Sequence, residues 1–159
     1  MAANGSGSIM NTGSFAHLGD YGGTGYPAGK GAVVSLTLAM AAELKDCGVR
    51  VNVICPGAKT RLSPGPDYEA HIRELHHRGL LDEMTMRASL DAPPPEYVAA
   101  LYVYLASDAA RAVSGEIFIA AGGFIGSFAR PAVGTPAYRD HSQQPPWSVS
   151  ELSDLIGGH

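Results

Sequence analysis

The sequence predicts an α/β fold with a partial parallel sheet of about three strands and flanking helices. Short apolar runs at 8–12, 49–55 and 116–120 are typical of buried strands. The long helical pattern at 27–46 separates the first two runs. A strand, a helix and a second strand within about 45 residues form a βαβ unit, whose strands are parallel.

The first strand, 8–12, runs into a Gly13-Ser14 turn and then a glycine-rich stretch over 15–25. The helix at 27–46 begins with Pro27, whose missing N–H costs nothing in a first turn. Gly48 follows as its expected stop. The residues of the expected apolar stripe are Val33, Leu36, Met40 and Leu44.

The second strand, 49–55, is rich in β-branched residues, as expected for a strand covered on both faces, and ends at Pro56-Gly57. Beyond it, 61–92 reads as a lid with short helices at 67–78 and 80–88. A helix at 96–107 precedes the third strand, 116–120. Its expected stripe is Val98, Leu101, Tyr102 and Leu105.

The proline-rich end of the chain predicts a folded portion over 1–125 followed by a mostly irregular tail over 126–159. One short helix is expected within that tail. Ser148 stands as its cap and Glu151 lies three residues later, which is the spacing of a capping box.

Composition excludes several classes of function. With 45% apolar and 16% charged residues among 159 and a net charge of −4, the chain is neither disordered nor suited to coating nucleic acid. The six histidines lack metal-ligand spacing, so we expect no metal. The two cysteines, Cys47 and Cys55, are expected to be reduced. No signal peptide and no apolar run of about 18 residues is present, which predicts a cytoplasmic protein without a membrane span.

Tyr26 and Lys30 form a candidate pair for proton transfer. On a helix, residues four apart share a face, and a nearby ammonium favours the phenolate form of a tyrosine. Such a pair suits proton transfer, and Ser14 is placed to donate a hydroxyl to a developing oxyanion. The alternative is a surface tyrosine beside a solvated lysine, since this spacing also arises by chance.

The position of the turns favours the functional interpretation. Parallel strands end at one edge of a sheet, and ligands of open α/β sheets bind beyond that edge. The Gly13-Ser14 turn and the Pro56-Gly57 turn both lie there.

Taken together, these motifs resemble the second half of a short-chain dehydrogenase/reductase over about residues 5–125. The matching segments are Gly7-Ser8-Ile9-Met10-Asn11-Thr12-Gly13-Ser14, Tyr26-x-x-x-Lys30, Arg50-Val51-Asn52-x-x-x-Pro56-Gly57 and Ser114-Gly115. The resemblance implies a Rossmann-like, doubly wound sheet. It also implies NAD or NADP as cofactor and a small alcohol or ketone as substrate, with hydride passing between the nicotinamide and that substrate.

The resemblance also implies a role for each matching residue. Tyr26 would be the catalytic acid/base, Lys30 would lower its pKa and hold the nicotinamide ribose, and Ser14 would bind the reacting oxygen. The remaining residues implied to line the nicotinamide pocket are Pro56, Gly57 and Thr60. Asn52 would be structural, and the choice between NAD and NADP stays open.

The part of the family that carries the phosphate-binding loop has no counterpart in these residues. An open apolar edge at 8–12 therefore predicts a homo-oligomer or pairing with a complementary chain. Two functions remain as expectations: the catalytic portion of an oxidoreductase, or a non-catalytic remnant that acts as an assembly or regulatory partner.

Overall fold

The computed structural model describes residues 1–19, 23–61, 65–134 and 137–157. Its sheet has the order β1-β2-β3-β4, with β1–β2 and β2–β3 parallel and β3–β4 antiparallel. The strands are β1 (Gly7–Thr12), β2 (Val49–Gly57), β3 (Ile117–Ala121) and β4 (Phe124–Ser127). The predicted α/β class and parallel sheet are thus confirmed.

The three predicted strands are the parallel ones, and the described residues add a fourth, antiparallel strand to the sheet. This strand, β4, was assigned from the sequence to the end of the folded portion and the start of the tail. β4 is short, contains Gly126, and carries the exposed side chains of Phe124 and Ile125. These features give no buried-strand pattern in the sequence. The turn that forms the hairpin needs Gly122, which has a φ of 55°.

The described residues form five α-helices: α1 (Gly25–Glu43), α2 (Pro66–His77), α3 (Glu83–Leu90), α4 (Glu96–Ala106) and α5 (Val149–Ile156). α1 starts two residues before the predicted Pro27, and a 3₁₀ turn over Lys45–Cys47 follows it. The chain then turns at Gly48, whose φ is 66°. A Cβ there would lie 2.2 Å from the Gly5 carbonyl oxygen, so only glycine fits.

α1 and α4 cover opposite faces of the sheet, because consecutive residues of β2 point to opposite sides. Val53 and Cys55 pack with Val34 of α1, while Ile54 packs with Leu101 of α4. The predicted α4 stripe is confirmed, with Val98, Leu101 and Leu105 buried and Tyr102 partly buried.

The predicted α1 stripe is confirmed only in part: Val33 is partly buried and packs against the cluster that contains Val53 and Cys55. Leu36 is 55% exposed, whereas the buried positions include Val34, Thr37 and Ala41. Thr37 is buried because its hydroxyl donates to the Val33 carbonyl and accepts from Asn11 Nδ2, each at 2.8 Å. α1 is apolar on most of its sides, so periodicity alone did not identify the packed one.

The chain divides into two compact units, Met1–Ala129 and Arg130–His159. In the first, α2 and α3 pack around Ile72, Leu75 and Leu81. In the second, α5 begins with the predicted capping box between Ser148 and Glu151. Among the described residues, no helix has the length and apolar character needed to cross a membrane.

Candidate active site

β1 delivers Gly13 and Ser14 to the carboxyl edge of the sheet. The Gly13 amide donates to the Ile54 carbonyl at 2.8 Å, which extends the pairing with β2. A Cβ on Gly13 would lie 2.8 Å from Val53 Cγ2 and 3.1 Å from Cys55 Sγ, so the backbone passes too close for a side chain. This close packing sets where Ser14 leaves the strand.

Ser14 caps the 3₁₀ turn Phe15–Leu18. Its Oγ accepts from the Ala16 amide at 3.2 Å, and its carbonyl lies 2.8 Å from His17 Nδ1. A hydroxyl that accepts one bond still carries a hydrogen to donate. Within the described part of the chain Ser14 is not hydrogen-bonded to Tyr26 or Lys30. The predicted glycine-rich stretch 15–25 includes 20–22, which lie outside the described residues.

Tyr26 and Lys30 lie on the first turns of α1, on one face. Lys30 Nζ is 5.7 Å from the centre of the Tyr26 ring, within range of a cation–π attraction. The same Nζ donates to the Thr12 carbonyl at 3.0 Å, which fixes the ammonium at the carboxyl end of β1. Tyr26 is 60% exposed, so its phenol is accessible to a ligand.

The end of β2 lies at the same edge, as the parallel pairing requires. Gly57 is paired with Ala121 of β3, and a Cβ on Gly57 would lie 2.7 Å from the Ala121 Cβ. Pro56 is exposed and still belongs to β2, which runs two residues past its predicted end at 55. Thr60 is exposed beyond the strand. The loop is tied down by the Lys59 amide, which donates to the Pro93 carbonyl at 2.8 Å.

The charge of Lys30 acts on Cys55, near the end of β2. Burial raises the pKa of the Cys55 thiol to about 11, and the nearby Lys30 ammonium partly opposes that rise. Both Cys47 and Cys55 are free thiols, the first partly exposed and the second buried. The Lys30 ammonium therefore lies within electrostatic range of the carboxyl ends of both β1 and β2.

One further strand residue, Thr12, belongs to this edge and was missed as a site residue. Thr12 holds Lys30 through its carbonyl, and its Oγ1 lies 2.9 Å from the hydroxyl of Tyr102 on α4. The signal available in the sequence was position: Thr12 is the last residue of β1, directly before the turn. Asn52 is fully buried and binds the Val113 carbonyl and the Glu116 amide, each at 3.0 Å, which is a structural role.

The surface of α2 and α3 contains a concavity of about 670 Å³. It is lined by Ala70, Arg73, Glu74, His76, His77 and Met86. His76 Nδ1 lies 2.9 Å from the Leu81 carbonyl, so that ring helps to close the α2–α3 turn. Among the described residues no three histidine, cysteine, aspartate or glutamate side chains are grouped so as to hold a metal ion.

Comparison with known proteins places these residues in context. A family model described as enoyl-(acyl carrier protein) reductase matches residues 1–125. The meso-2,3-butanediol dehydrogenase of Serratia marcescens is 38% identical over 130 residues, which are 80% of this chain and 48% of that protein. The 3beta-hydroxysteroid dehydrogenase 2 of Eggerthella lenta is 36% identical over 121 residues, 74% of this chain and 44% of that protein.

A solved structure is similar as well. The short chain dehydrogenase from Mycobacterium avium superposes with a TM-score of 0.66 at 34% identity, covering 96% of this chain and 46% of that one. The chain therefore spans about half the length of the curated relatives it matches.

Proposed function

Because this chain belongs to the short-chain dehydrogenase/reductase family, we propose that it carries the catalytic portion of an NAD(P)-dependent oxidoreductase acting on a secondary alcohol or ketone. We assign that portion to residues 1–125 and treat 126–159 as a tail. The observation that carries the proposal is the position of Lys30, held by the Thr12 carbonyl at 3.0 Å and lying 5.7 Å from the Tyr26 ring.

In the proposed reaction Tyr26 is the acid/base. For alcohol oxidation its phenolate oxygen takes the hydroxyl proton as the C–H bond of the carbinol carbon breaks. For ketone reduction the phenol returns that proton to the oxygen. Lys30 stabilises the phenolate through its charge, and the Ser14 hydroxyl donates to the reacting oxygen.

The donors at this edge suit the nicotinamide end of a dinucleotide. When bound, the nicotinamide supplies or accepts the hydride. Lys30 uses one of its three N–H groups on Thr12, and an ammonium with further donors suits ribose hydroxyls. The ring would be lined by Pro56 and Gly57, which end β2, and by Thr60 beyond it, since ligands of such sheets bind at this edge.

We further propose that the chain works in association with another polypeptide, a second copy or a complementary chain. β1 pairs with β2 on one side and is the outer strand of the described sheet. The outward side of α4 exposes Tyr97 by 57% and Val103 by 70%. Edge strands and apolar surface of this kind favour association. The two free thiols suit a reducing compartment, so we place the protein in the cytoplasm.

Fluorescence titration of NADH and NADPH against the purified chain, with a panel of secondary alcohols and ketones, tests the proposal. The titration is repeated after adding the amino-terminal half of a full-length relative. We expect binding and turnover, either alone or on that addition, with loss of turnover in Tyr26→Phe. Failure of every combination would instead favour the non-catalytic alternative, an assembly or regulatory partner.

A further inference from the structure

Thr12 is bound from both layers of the fold. Its carbonyl accepts from Lys30 Nζ of α1 at 3.0 Å, and its Oγ1 lies 2.9 Å from the Tyr102 hydroxyl of α4. Because α1 and α4 cover opposite faces of the sheet, this one residue joins both layers at the carboxyl end of β1. Tyr102 therefore reaches the ammonium through a single intermediate residue.

The Tyr102 hydroxyl is well placed to act as a fixed point. The ring packs, partly buried, against the core cluster that contains Ile54 and Leu105. A packed aromatic ring has few conformations left, so its hydroxyl is held at little further entropic cost. β1 also contacts α4 near the amino-terminal end of the strand, where Ser8 Oγ donates to the Leu105 carbonyl at 2.8 Å.

Thr12 needs such a hold because of its place in the sheet. It is the last residue of β1, aligned with Ile54 of β2, and β1 has a neighbouring strand on only one side within the described sheet. Its side chain is exposed. Without a contact from α4, the peptide that carries the acceptor for Lys30 would be constrained from the β2 side alone.

We propose that Tyr102 is a positioning residue for Lys30. Its hydroxyl holds Thr12, and the Thr12 carbonyl in turn holds the ammonium beside Tyr26. The catalytic meaning of this arrangement rests on the proposed function, because it assumes that Lys30 takes part in proton transfer. The mechanical coupling between Tyr102 and Lys30 can be measured without any turnover.

The experiment measures how fast each lysine of the full chain is acetylated by an N-hydroxysuccinimide ester, read by mass spectrometry. Lys45 and Lys59 are the internal references. Tyr102→Phe keeps the packed ring and removes the hydroxyl, and Thr12→Val removes the hydroxyl but keeps the carbonyl. Thr12→Ser restores a hydroxyl, and Tyr104→Phe is the matched control on the same helix.

We expect acetylation of Lys30, relative to Lys45, to rise about two- to fivefold in Tyr102→Phe and in Thr12→Val, the effect of one modest hydrogen bond. The double variant should rise no further, because both changes break the same contact. Thr12→Ser and Tyr104→Phe should match the unmodified chain. If the chain turns over substrate when it is associated with a second polypeptide, Tyr102→Phe and Thr12→Val should each lower kcat and leave KM unchanged.

An unchanged Lys30 rate in a folded Tyr102→Phe, or effects that multiply in the double variant, would overturn the proposal. If circular dichroism shows Tyr102→Phe to be unfolded, the Thr12→Val and Thr12→Ser pair decides instead, and equal rates in that pair overturn it. Failure of the proposed function is a separate outcome. It would appear as turnover that Tyr26→Phe leaves unaltered, or as no turnover in any combination, whatever the acetylation rates are.

Discussion

In the part of the chain that the structure describes, Lys30 and Arg139 each lie over an aromatic ring, and their surroundings differ. Lys30 lies 5.7 Å from the Tyr26 ring and makes one hydrogen bond to the described residues, to Thr12. Arg139, in the second compact unit, lies 3.7 Å from the Trp147 ring. Its guanidinium donates to the carbonyls of Pro145 and Pro146, each at 3.1 Å, and to both carboxylate oxygens of Glu151.

This difference separates a cation that holds structure from one available for chemistry. Arg139 is only 15% exposed at its side chain and distributes its donors over three partners. Hydrogen bonds from Arg139 and Ser148 lower the pKa of the neighbouring Glu151 carboxyl to about 2. Near Lys30, by contrast, burial outweighs the ammonium and raises the pKa of Cys55 to about 11. Lys30 makes one hydrogen bond to the described residues, to the Thr12 carbonyl, so its ammonium keeps donors for a ligand.

The largest expected effect concerns Tyr26. If Tyr26 and Lys30 are the pair that transfers the proton, Tyr26→Phe should lower turnover by about 10²- to 10⁴-fold, the usual contribution of a positioned acid/base. The measurement is kcat in the binding and turnover assay described above. Tyr97→Phe is the matched control, since Tyr97 is 57% exposed against 60% for Tyr26. Equal losses in both variants would contradict the distinction between the two cations.

The sequence revealed the first pair and not the second for a geometric reason. Tyr26 and Lys30 are one helical turn apart, so spacing alone placed them on one face. Arg139 meets Trp147 and Glu151 through an irregular segment, which has no period to read. Ser148 and Glu151 were predicted because a capping box has a fixed three-residue spacing.

Local signals in the sequence also predicted part of the fold, and contacts between distant residues were missed. Continuous β-branched runs marked β2, and Gly48 marked the end of the long helical segment, because these signals are local. The packed side of α1 was predicted only in part, because Thr37 is buried there, with its hydroxyl satisfied by Asn11 on β1, and a polar residue gives no apolar signal. The position of Thr12 at the end of β1 could be predicted, but its two hydrogen bonds could not, because Lys30 and Tyr102 are 18 and 90 residues away in sequence.

The second prediction concerns Cys55 and shows how far the charge of Lys30 reaches. With a pKa raised from 9.0 to about 11, the folded chain should react with a thiol reagent at Cys55 about 100-fold more slowly than the urea-unfolded chain at pH 8. Lys30→Met should slow the reaction further, because the opposing charge is lost. Reaction with dithionitrobenzoate, assigned by mass spectrometry, measures both rates.

The pH dependence of stability supplies an internal check on Cys55. The unfolded thiol ionises near pH 9 while the folded one stays protonated up to about 11, so stability should fall as pH rises through that window. Cys55→Ala should reduce this alkaline loss. Cys55 labelling that is equally fast in folded and unfolded chains would mean that the thiol is not buried beside Lys30.

The third prediction tests whether Arg139 is structural. Arg139→Lys keeps the charge and loses the planar fork that reaches the carbonyls of Pro145 and Pro146 and the Glu151 carboxylate. We expect hydrogen exchange of the α5 amides to rise about threefold to tenfold. Tyr138→Phe is the control in the same unit, since Tyr138 is 79% exposed. An unchanged exchange rate would show that charge alone suffices.

The smallest effect is expected at Glu151, in the acid range. Its pKa is lowered from 4.5 to about 2, chiefly by the hydrogen bond from Arg139 and then by those from Ser148. A carboxylate whose folded pKa is depressed stabilises the fold above the unfolded value and loses that contribution as pH falls through the folded one. The start of α5 should therefore stay ordered at pH 4 and loosen between about pH 3 and 2.

The Ser148 amide reports this transition directly, because it donates to Glu151 Oε2 at 2.7 Å. Its NMR shift should titrate with a midpoint at about 2. Glu151→Gln should remove that titration and weaken the first turn of α5 at pH values above about 2, where the carboxyl is charged, since the amide keeps an oxygen but loses the charge. A midpoint near the ordinary value of 4.5 would instead mean that Arg139 does not hold this carboxylate in solution. Arg139 would then be as available as Lys30, and the contrast between the two cations would disappear.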